Sequence, residues 1–305
     1  MEKLKKILVI GGDSFIARRF INQCKGYYKI RTISRIATGY PNELLTDDFF
    51  QIPPDEFRDA DAVINFAAIV HPTKKIKDSA YFRINRDLAV DLAKKTKICG
   101  ADKFVQMSTI AVYGRVEYID KDTIENPVTP YGISKYNADL DLMKMSGEKF
   151  KVIILRPAMV YGGDNAPGNM MKLIKLIAKG FPLPFGNIHY LRDFLHVDNL
   201  VSFIDSAIEK DITGICLLCD GYPVSVTDLV KIAGKHLGIK LWLFPIPGIL
   251  LEILRKLKPS LFEKLYGPLR ISYSDITAKF GFVPRDCIDD GIRDMVRWHL
   301  DSIKK

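Results

Sequence analysis

Cysteine and tryptophan are scarce, with five and two copies in 305 residues. An odd number of cysteines without framework spacing excludes a disulfide scaffold and is expected of a reducing compartment. Long apolar runs are missing as well. LWLFPIPGILLEIL (241–254) comes nearest, but Pro245, Pro247 and Gly248 interrupt it, and no segment approaches the ~20 residues of a membrane span. Integral membrane association is therefore not expected. The basic opening MEKLKK leads only into Ile7–Ile10 before glycines begin, too short for the apolar region of a secretory signal. The chain is expected to be cytoplasmic. Its net charge is +9, yet no basic tract gathers it, so a nucleic-acid partner is not expected. Scattered positive charge suits phosphate-bearing ligands. Histidines are few and dispersed: His71, His189, His196, His236 and His299. His196 reads as structural. The lone Cys216–Cys219 pair lies in the apolar run GICLLCDG and reads as core, so no metal site is expected.

What is abundant is alternation. The strand candidates KILVI, KIRTI, AVINF, KFVQM, KVIIL and GICLL are separated by helical periods at 15–25, 81–99, 131–147, 169–179 and 198–209. Short apolar strands alternating with helices predict an α/β fold, a Rossmann-type doubly wound parallel sheet. After residue 220 this rhythm fades into helices and Pro-rich turns. The expected division is a dinucleotide-binding domain from 1–162 and 187–220, with a smaller, discontinuous C-terminal lobe from 163–186 and 221–305.

KKILVIGGDSFIARRF runs from a strand through glycines into a helix. Such a turn offers backbone N–H groups at a helix N-terminus to a pyrophosphate. The G-x-x-G-x-x-G pattern is filled by Gly11, Ser14 and Ala17, with Gly12 in addition. Ser14 departs from it, because a Cβ restricts backbone approach. The second strand ends in Ser34 and Arg35, a hydroxyl and a guanidinium where an acidic residue would select NAD. This favours NADP(H), with NAD(H) the alternative.

In TPYGISKYNAD, Tyr131 and Lys135 stand four apart on one helix face. A neighbouring ammonium favours the phenolate and so lowers the tyrosine pKa, making Tyr131 a usable acid and base. Ser108 and Thr109 follow the strand KFVQM. At this point the chain resembles the extended short-chain dehydrogenase/reductase family of nucleotide-sugar epimerases, dehydratases and reductases. The resemblance runs in order through GGDSFIA, DAVINFAA, MSTIAVYG, YGISK, LRPAMVYG, RDFLHVDNLV and FGFVPRDCIDDGIRDMVRWH.

That resemblance implies roles. Tyr131 would be the general acid/base, Lys135 would hold the nicotinamide ribose, and Thr109 would bond the reacting sugar oxygen, with Ser108 as the neighbouring alternative. Gly11, Gly12, Ser14, Phe15, Ile16, Ser34, Arg35, Asn65, Ala67, Ala68 and Pro157 would border the cofactor, with Asp48 and Phe49 flanking its adenine. Asn169, Met170, Arg192 and Arg270 would meet the diphosphate of a UDP-sugar. Asn85 is left open between a site residue and a helix-surface amide. A homodimer through the helices at 81–99 and 131–147 is implied too.

Within the family the chain is similar to UDP-4-keto-6-deoxy-N-acetylhexosamine 4-reductases of surface-polysaccharide synthesis. Met159 replaces the asparagine of many UDP-hexose epimerases. The alternatives are a UDP-sugar 4-epimerase with tightly bound NAD and a non-catalytic NADP-binding or membrane-surface protein. For residues 241–258 the expectation is an apolar face packed into the second lobe with solvated lysines, the alternative being an anionic bilayer.

Overall fold

The apolar runs form the strands they predict. The computed structural model describes residues 4–70, 76–258, 262, 267–285 and 287–304, leaving His71 outside. β1 (Lys6–Ile10), β2 (Lys29–Ser34), β3 (Glu43–Leu45), β4 (Ala62–Asn65), β5 (Lys103–Met107), β7 (Lys151–Pro157) and β11 (Gly214–Leu218) build a seven-stranded sheet in the order β11-β7-β5-β4-β1-β2-β3. The pairings from β3 through β7 are parallel. Strand order reverses at β1, which lies between β2 and β4; in such sheets that reversal opens the ligand crevice at the strands' carboxyl ends.

The chain divides into two units: 1–114, 124–157 and 201–217, and 115–123, 158–200 and 218–305. The expected boundaries differ because short sheets form in the second unit. β8 (Met159–Tyr161) pairs with β10 (Phe194–His196), and β6 (Tyr118–Ile119) with β13 (Arg270–Ile271). Residues 115–123, 158–162, 187–200 and 218–220 therefore sit there.

In the first unit, Leu8, Ile10, Ile33, Val63, Phe104, Val152 and Ile154 form one core with Leu88, Leu92, Ala138 and Leu142. Burying each large side chain contributes about 1.5–3 kcal/mol. The last four come from α3 (Leu88–Ile98) and α4 (Pro130–Met143). Helix α2 (Asp78–Tyr81) runs into α3 through a π-helical stretch, Phe82–Asp87. α1 (Phe15–Cys24) starts at Ser14, whose Oγ accepts from Ala17 N at 3.3 Å. Lys103 Nζ donates to the carbonyls of Ala207, Ile208 and Lys210. It thereby satisfies the last turn of α6 (Val197–Glu209).

In the second unit, α5 (Asn169–Ile177), α7 (Val226–Leu237) and α10 (Ile288–Ile303) pack on one another. β9 (Leu191–Arg192) pairs with β12 (Val224–Ser225), and α9 covers Ser274–Phe280. His196 is buried; its backbone N–H faces both Asp220 oxygens at 3.0 Å and its Nδ1 accepts from Asp198 N. Cys216 and Cys219 are both buried, and burial, with Asp193 adding, pushes the Cys219 thiol up to about 12. Among the described residues no helix is long and apolar enough to cross a membrane.

One expectation reverses in this unit. Within residues 241–258, Leu241 and Leu243 are half-buried, but most of the large apolar side chains described there are not. Trp242 and Phe244, and Ile249, Leu250, Ile253 and Leu257 of α8 (Gly248–Leu257), are exposed. Leu251, from the opposite side of that helix, is half-buried instead.

Candidate active site

At the carboxyl end of β1 the chain turns sharply. Gly11 takes φ +77°, and a Cβ there would come within 2.9 Å of Ala67 N, at the end of β4. Only glycine permits both the conformation and the approach. A Cβ on Gly12 would lie 2.8 Å from Ser34 Oγ. The Ser14 departure has a local reason: its side chain caps α1. Phe15 and Ile16 then carry first-turn N–H groups without intrahelical partners, and the helix dipole favours an anion beside them. The turn therefore fits the pyrophosphate of a dinucleotide.

At the end of β2 the expected pair separates. Ser34 is fully buried behind Gly12 and offers no surface to a ribose phosphate, while Arg35 is exposed. A carboxylate that sequence reasoning missed stands nearby. Glu43 accepts from Thr38 N at 2.9 Å, Thr38 Oγ1 at 2.5 Å and Gly39 N at 3.3 Å. Burial would raise its pKa, but these bonds hold it below the usual carboxylate range. The Arg35 guanidinium lies 6.0 Å from the centre of the Phe49 ring, so two residues assigned to different parts of the cofactor meet. Asp48 Oδ1 accepts from Phe50 N at 3.0 Å, which sets the turn that buries Phe49.

The loop after β4 is pinned from two sides. Asn65 Oδ1 accepts from Ala67 N at 3.0 Å, while its Nδ2 donates to Gln106 Oε1 at 2.8 Å. Asn85 accepts from Ile69 N at 2.8 Å and donates to Ile69 O and Ser134 Oγ. Asn85 is thus buried, not a surface amide, and lies in the π-helical stretch. Ser134 Oγ donates to Tyr131 O at 2.8 Å, which extends this clamp to α4. Ala68 sits half-buried between the two pins, and Pro157 is buried at the end of β7.

Thr129 caps α4 by accepting from Gly132 N at 3.1 Å, with Pro130 at the first helical position. Thr109 stands beside the Tyr131 phenol, while its own Oγ1 accepts from Ala111 N at 3.2 Å. The Tyr81 ring meets Tyr131 edge-on, with centroids 6.5 Å apart. Burial pushes the Tyr131 phenol up to about 12; the Thr109 hydroxyl works against this and the charge of Asp139 adds to it. The expected lowering by Lys135 is absent from this balance. Lys135 is 1% exposed and its Nζ donates to Met107 O at 2.8 Å. Burial draws its ammonium down to about 8, with Asp139 opposing.

Asp139 is the hub beneath these groups. Its Oδ2 accepts from Ser108 Oγ at 2.8 Å and from Arg156 Nε at 3.0 Å. Ser108 is therefore committed to Asp139 and is not the alternative to Thr109. Arg156 Nη1 also reaches Tyr113 OH at 2.7 Å and Glu125 Oε1 at 2.6 Å. Burial pushes the Asp139 carboxyl up to about 6, against the pull of Arg156. Asp139, at i+4 from Lys135, was findable by extending the Tyr131–Lys135 spacing one step. Arg156, Tyr113 and Glu125 had no such signal.

In the second unit, Arg192 Nη1 donates to Gly267 O at 2.5 Å and Arg192 bridges Leu269, next to Arg270. Arg270 Nε pairs with Asp193 Oδ2 at 3.3 Å. The structure thus brings these two arginines to one patch. Asn169 is exposed at the start of α5, but the Met170 side chain is buried in the helix's core face and is not a ligand-facing group.

Residues 7–215 match the NAD dependent epimerase/dehydratase family. The UDP-glucose 4-epimerase of Vibrio cholerae is 27% identical over 322 residues, covering 98% of this chain and 96% of its own. Among solved structures, the UDP-N-acetylglucosamine 4-epimerase from Methanobrevibacter ruminantium M1, in complex with UDP-N-acetylmuramic acid, is 21% identical. Its TM-score is 0.79, with 99% of this chain and 100% of that one covered. The UDP-glucuronic acid 4-epimerase from Bacillus cereus, in complex with NAD, is 20% identical at TM-score 0.78, covering 96% of each chain. At such identities the two structures speak for the fold, and the family match spans most of the chain. The chain belongs to the NAD dependent epimerase/dehydratase family.

Proposed function

We propose that the protein interconverts the C4 epimers of a UDP-sugar, with NAD(H) as its resident cofactor. The observation that carries this is the meeting of Thr109, Tyr131 and the buried Lys135 in one cluster, where the Thr109 hydroxyl favours the ionised phenol. Relatives named as UDP-sugar 4-epimerases support the substrate class. When bound, the nicotinamide supplies a reversible hydride acceptor at C4. Tyr131 takes the C4 hydroxyl proton and returns it, and Thr109 donates to the same oxygen as charge develops there, a pre-placed donor. Lys135 would hold the ribose, while the Thr109 hydroxyl, not the Lys135 charge, works against the desolvation that keeps Tyr131 protonated. The Glu43 carboxylate, at the start of β3 beside β2, weighs against a 2′-phosphate, and Ser34 is buried. The first unit would hold the cofactor, while Arg192, Arg270 and Asn169 of the second would take the UDP group.

The second reading is the 4-reductase using NADPH on a UDP-4-keto-6-deoxy-N-acetylhexosamine, favoured by exposed Arg35 and by Met159 in place of asparagine. The purified protein is incubated with UDP-glucose or UDP-N-acetylglucosamine without added reductant, and the anomeric NMR signals are followed. Appearance of the 4-epimer is expected. No epimer, with rapid NADPH oxidation on the keto sugar, replaces the epimerase by the reductase. Tyr131→Phe should cost about 10²–10⁴-fold in kcat with cofactor binding unchanged; retention of most of the rate removes Tyr131 from the mechanism. A cytoplasmic homodimer through α3 and α4 belongs to the same reading, with exposed Ile98 and Leu140 on those helices supporting it. Light scattering of Leu140→Asp tests the dimer.

A further inference from the structure

A surface helix ordinarily turns its apolar stripe inward. α8 does the reverse. Ile249, Leu250, Ile253 and Leu257 recur at helical spacing along its exposed side, with Ile249 and Leu257 each 76% exposed. The lead-in continues this surface. Trp242 and Phe244 alternate with half-buried Leu241 and Leu243, so one side of the extended segment packs while the other presents aromatic rings. Trp242 is 64% exposed, and Phe181 is 63% exposed. These residues are stitched together: Leu183 N donates to Trp242 O at 2.8 Å, Phe244 N to Leu183 O at 3.1 Å, and Gly186 N to Phe244 O at 3.1 Å. Asn187 and Ile246 exchange two more bonds, at 2.9 and 3.1 Å. The aromatic rings and the α8 stripe therefore sit on one supported segment, not on a loose tail.

Charge selects the occupant. Lys240, Arg255, Lys256 and Lys258 stand against one acid in residues 240–258, Glu252, which lies 3.6 Å from Arg255. Apolar side chains flanked by exposed lysines, with tryptophan and phenylalanine at the edge, match the boundary between acyl chains and anionic headgroups. We propose that α8 and its lead-in form a peripheral docking surface for an anionic membrane, with the apolar stripe and Trp242 entering the headgroup region and Lys256 and Lys258 meeting lipid phosphates. This holds whichever sugar the enzyme takes.

The test uses the full chain with vesicles of phosphatidylglycerol and phosphatidylcholine, against phosphatidylcholine alone. Co-sedimentation with the anionic vesicles that weakens with added salt is expected. So is a blue shift of Trp242 emission in a Trp298→Phe background. Ile249→Ser with Ile253→Ser and Leu257→Ser should lower partitioning at least about a hundredfold. Lys256→Gln with Lys258→Gln should lower it roughly tenfold on anionic vesicles only. Unchanged far-UV circular dichroism and thermal midpoint establish that both variants fold. Failure of the wild type to sediment overturns the proposal, and so does sedimentation indifferent to the triple substitution. A concentration-dependent dimer that this substitution dissolves, without vesicle binding, also overturns it and makes the face a contact between copies of the chain.

Discussion

Helices α4 and α8 break the inside–outside rule in opposite directions. α4 carries a lysine and an aspartate into the interior, Lys135 and Asp139, each 1% exposed. α8 carries four large aliphatic side chains out to the solvent. The interior departure is balanced within the chain: Lys135 has Met107 O, and Asp139 has Ser108 and Arg156. The exterior one is not, since its side chains remain exposed. A buried charge must find partners within the fold, because leaving it bare costs several kcal/mol. An exposed apolar stripe costs far less and can wait for a partner from outside.

Removing a partner is the strongest way to break the interior half of this comparison. Arg156→Met leaves Asp139 buried with Ser108 as its remaining donor, and should cost about 3–5 kcal/mol in urea unfolding. Replacing both residues by leucine should restore much of that loss, and an equally large loss in the double variant refutes the pairing.

A pH experiment on Lys135 sharpens it further. Its pKa in the folded chain, about 8, lies below the 10.5 of the unfolded chain. The unfolded state therefore binds the proton first as pH falls. Stability is fully present above about 10.5 and is lost as pH falls towards 8, by on the order of 2 kcal/mol between pH 10 and 8. Lys135→Met should lack that slope in denaturant titrations across the same window; an identical slope in the variant would show that Lys135 is not its source.

Asn85→Ala removes both the acceptor for Ile69 N and the donor to Ser134. A loss of about 1–3 kcal/mol is expected, read as a lower thermal midpoint. On α8, by contrast, single Ile249→Ser or Ile253→Ser substitutions should move folding stability by no more than about 0.5 kcal/mol, since nothing is unburied. A larger loss would mean that the stripe already packs against the protein.

These contrasts also explain what the sequence could disclose. Runs such as KILVI and KVIIL are apolar after their opening lysines because both faces of the sheet are covered, and that burial is visible in composition alone. Tyr131 and Lys135 were readable because helical periodicity puts i and i+4 on one face. The same rule reaches Asp139 one step on. Asn85 was ambiguous because its partners, Ile69 and Ser134, are 16 and 49 residues away. Glu43 was illegible for a related reason: it matters only once the 35–42 loop folds back onto β3. Ser34 misled because a strand-end hydroxyl looks accessible until Gly12 is seen against it. α8 misled in the other direction, since amphipathic spacing gives the face but not the side on which the protein lies.

One consequence of the strand order concerns synthesis. β7 ends at residue 157, but its outer neighbour β11 begins only at residue 214. The whole of the second unit's 158–200 segment is translated in between. A nascent chain of about two hundred residues therefore carries β7 as an open edge, a template for unwanted pairing. Lys103 likewise waits for Ala207, Ile208 and Lys210 before its ammonium is satisfied. The last strand of the seven-stranded sheet to leave the ribosome is the one that closes this edge, so an emerging chain is most vulnerable to mispairing in the interval between those two strands.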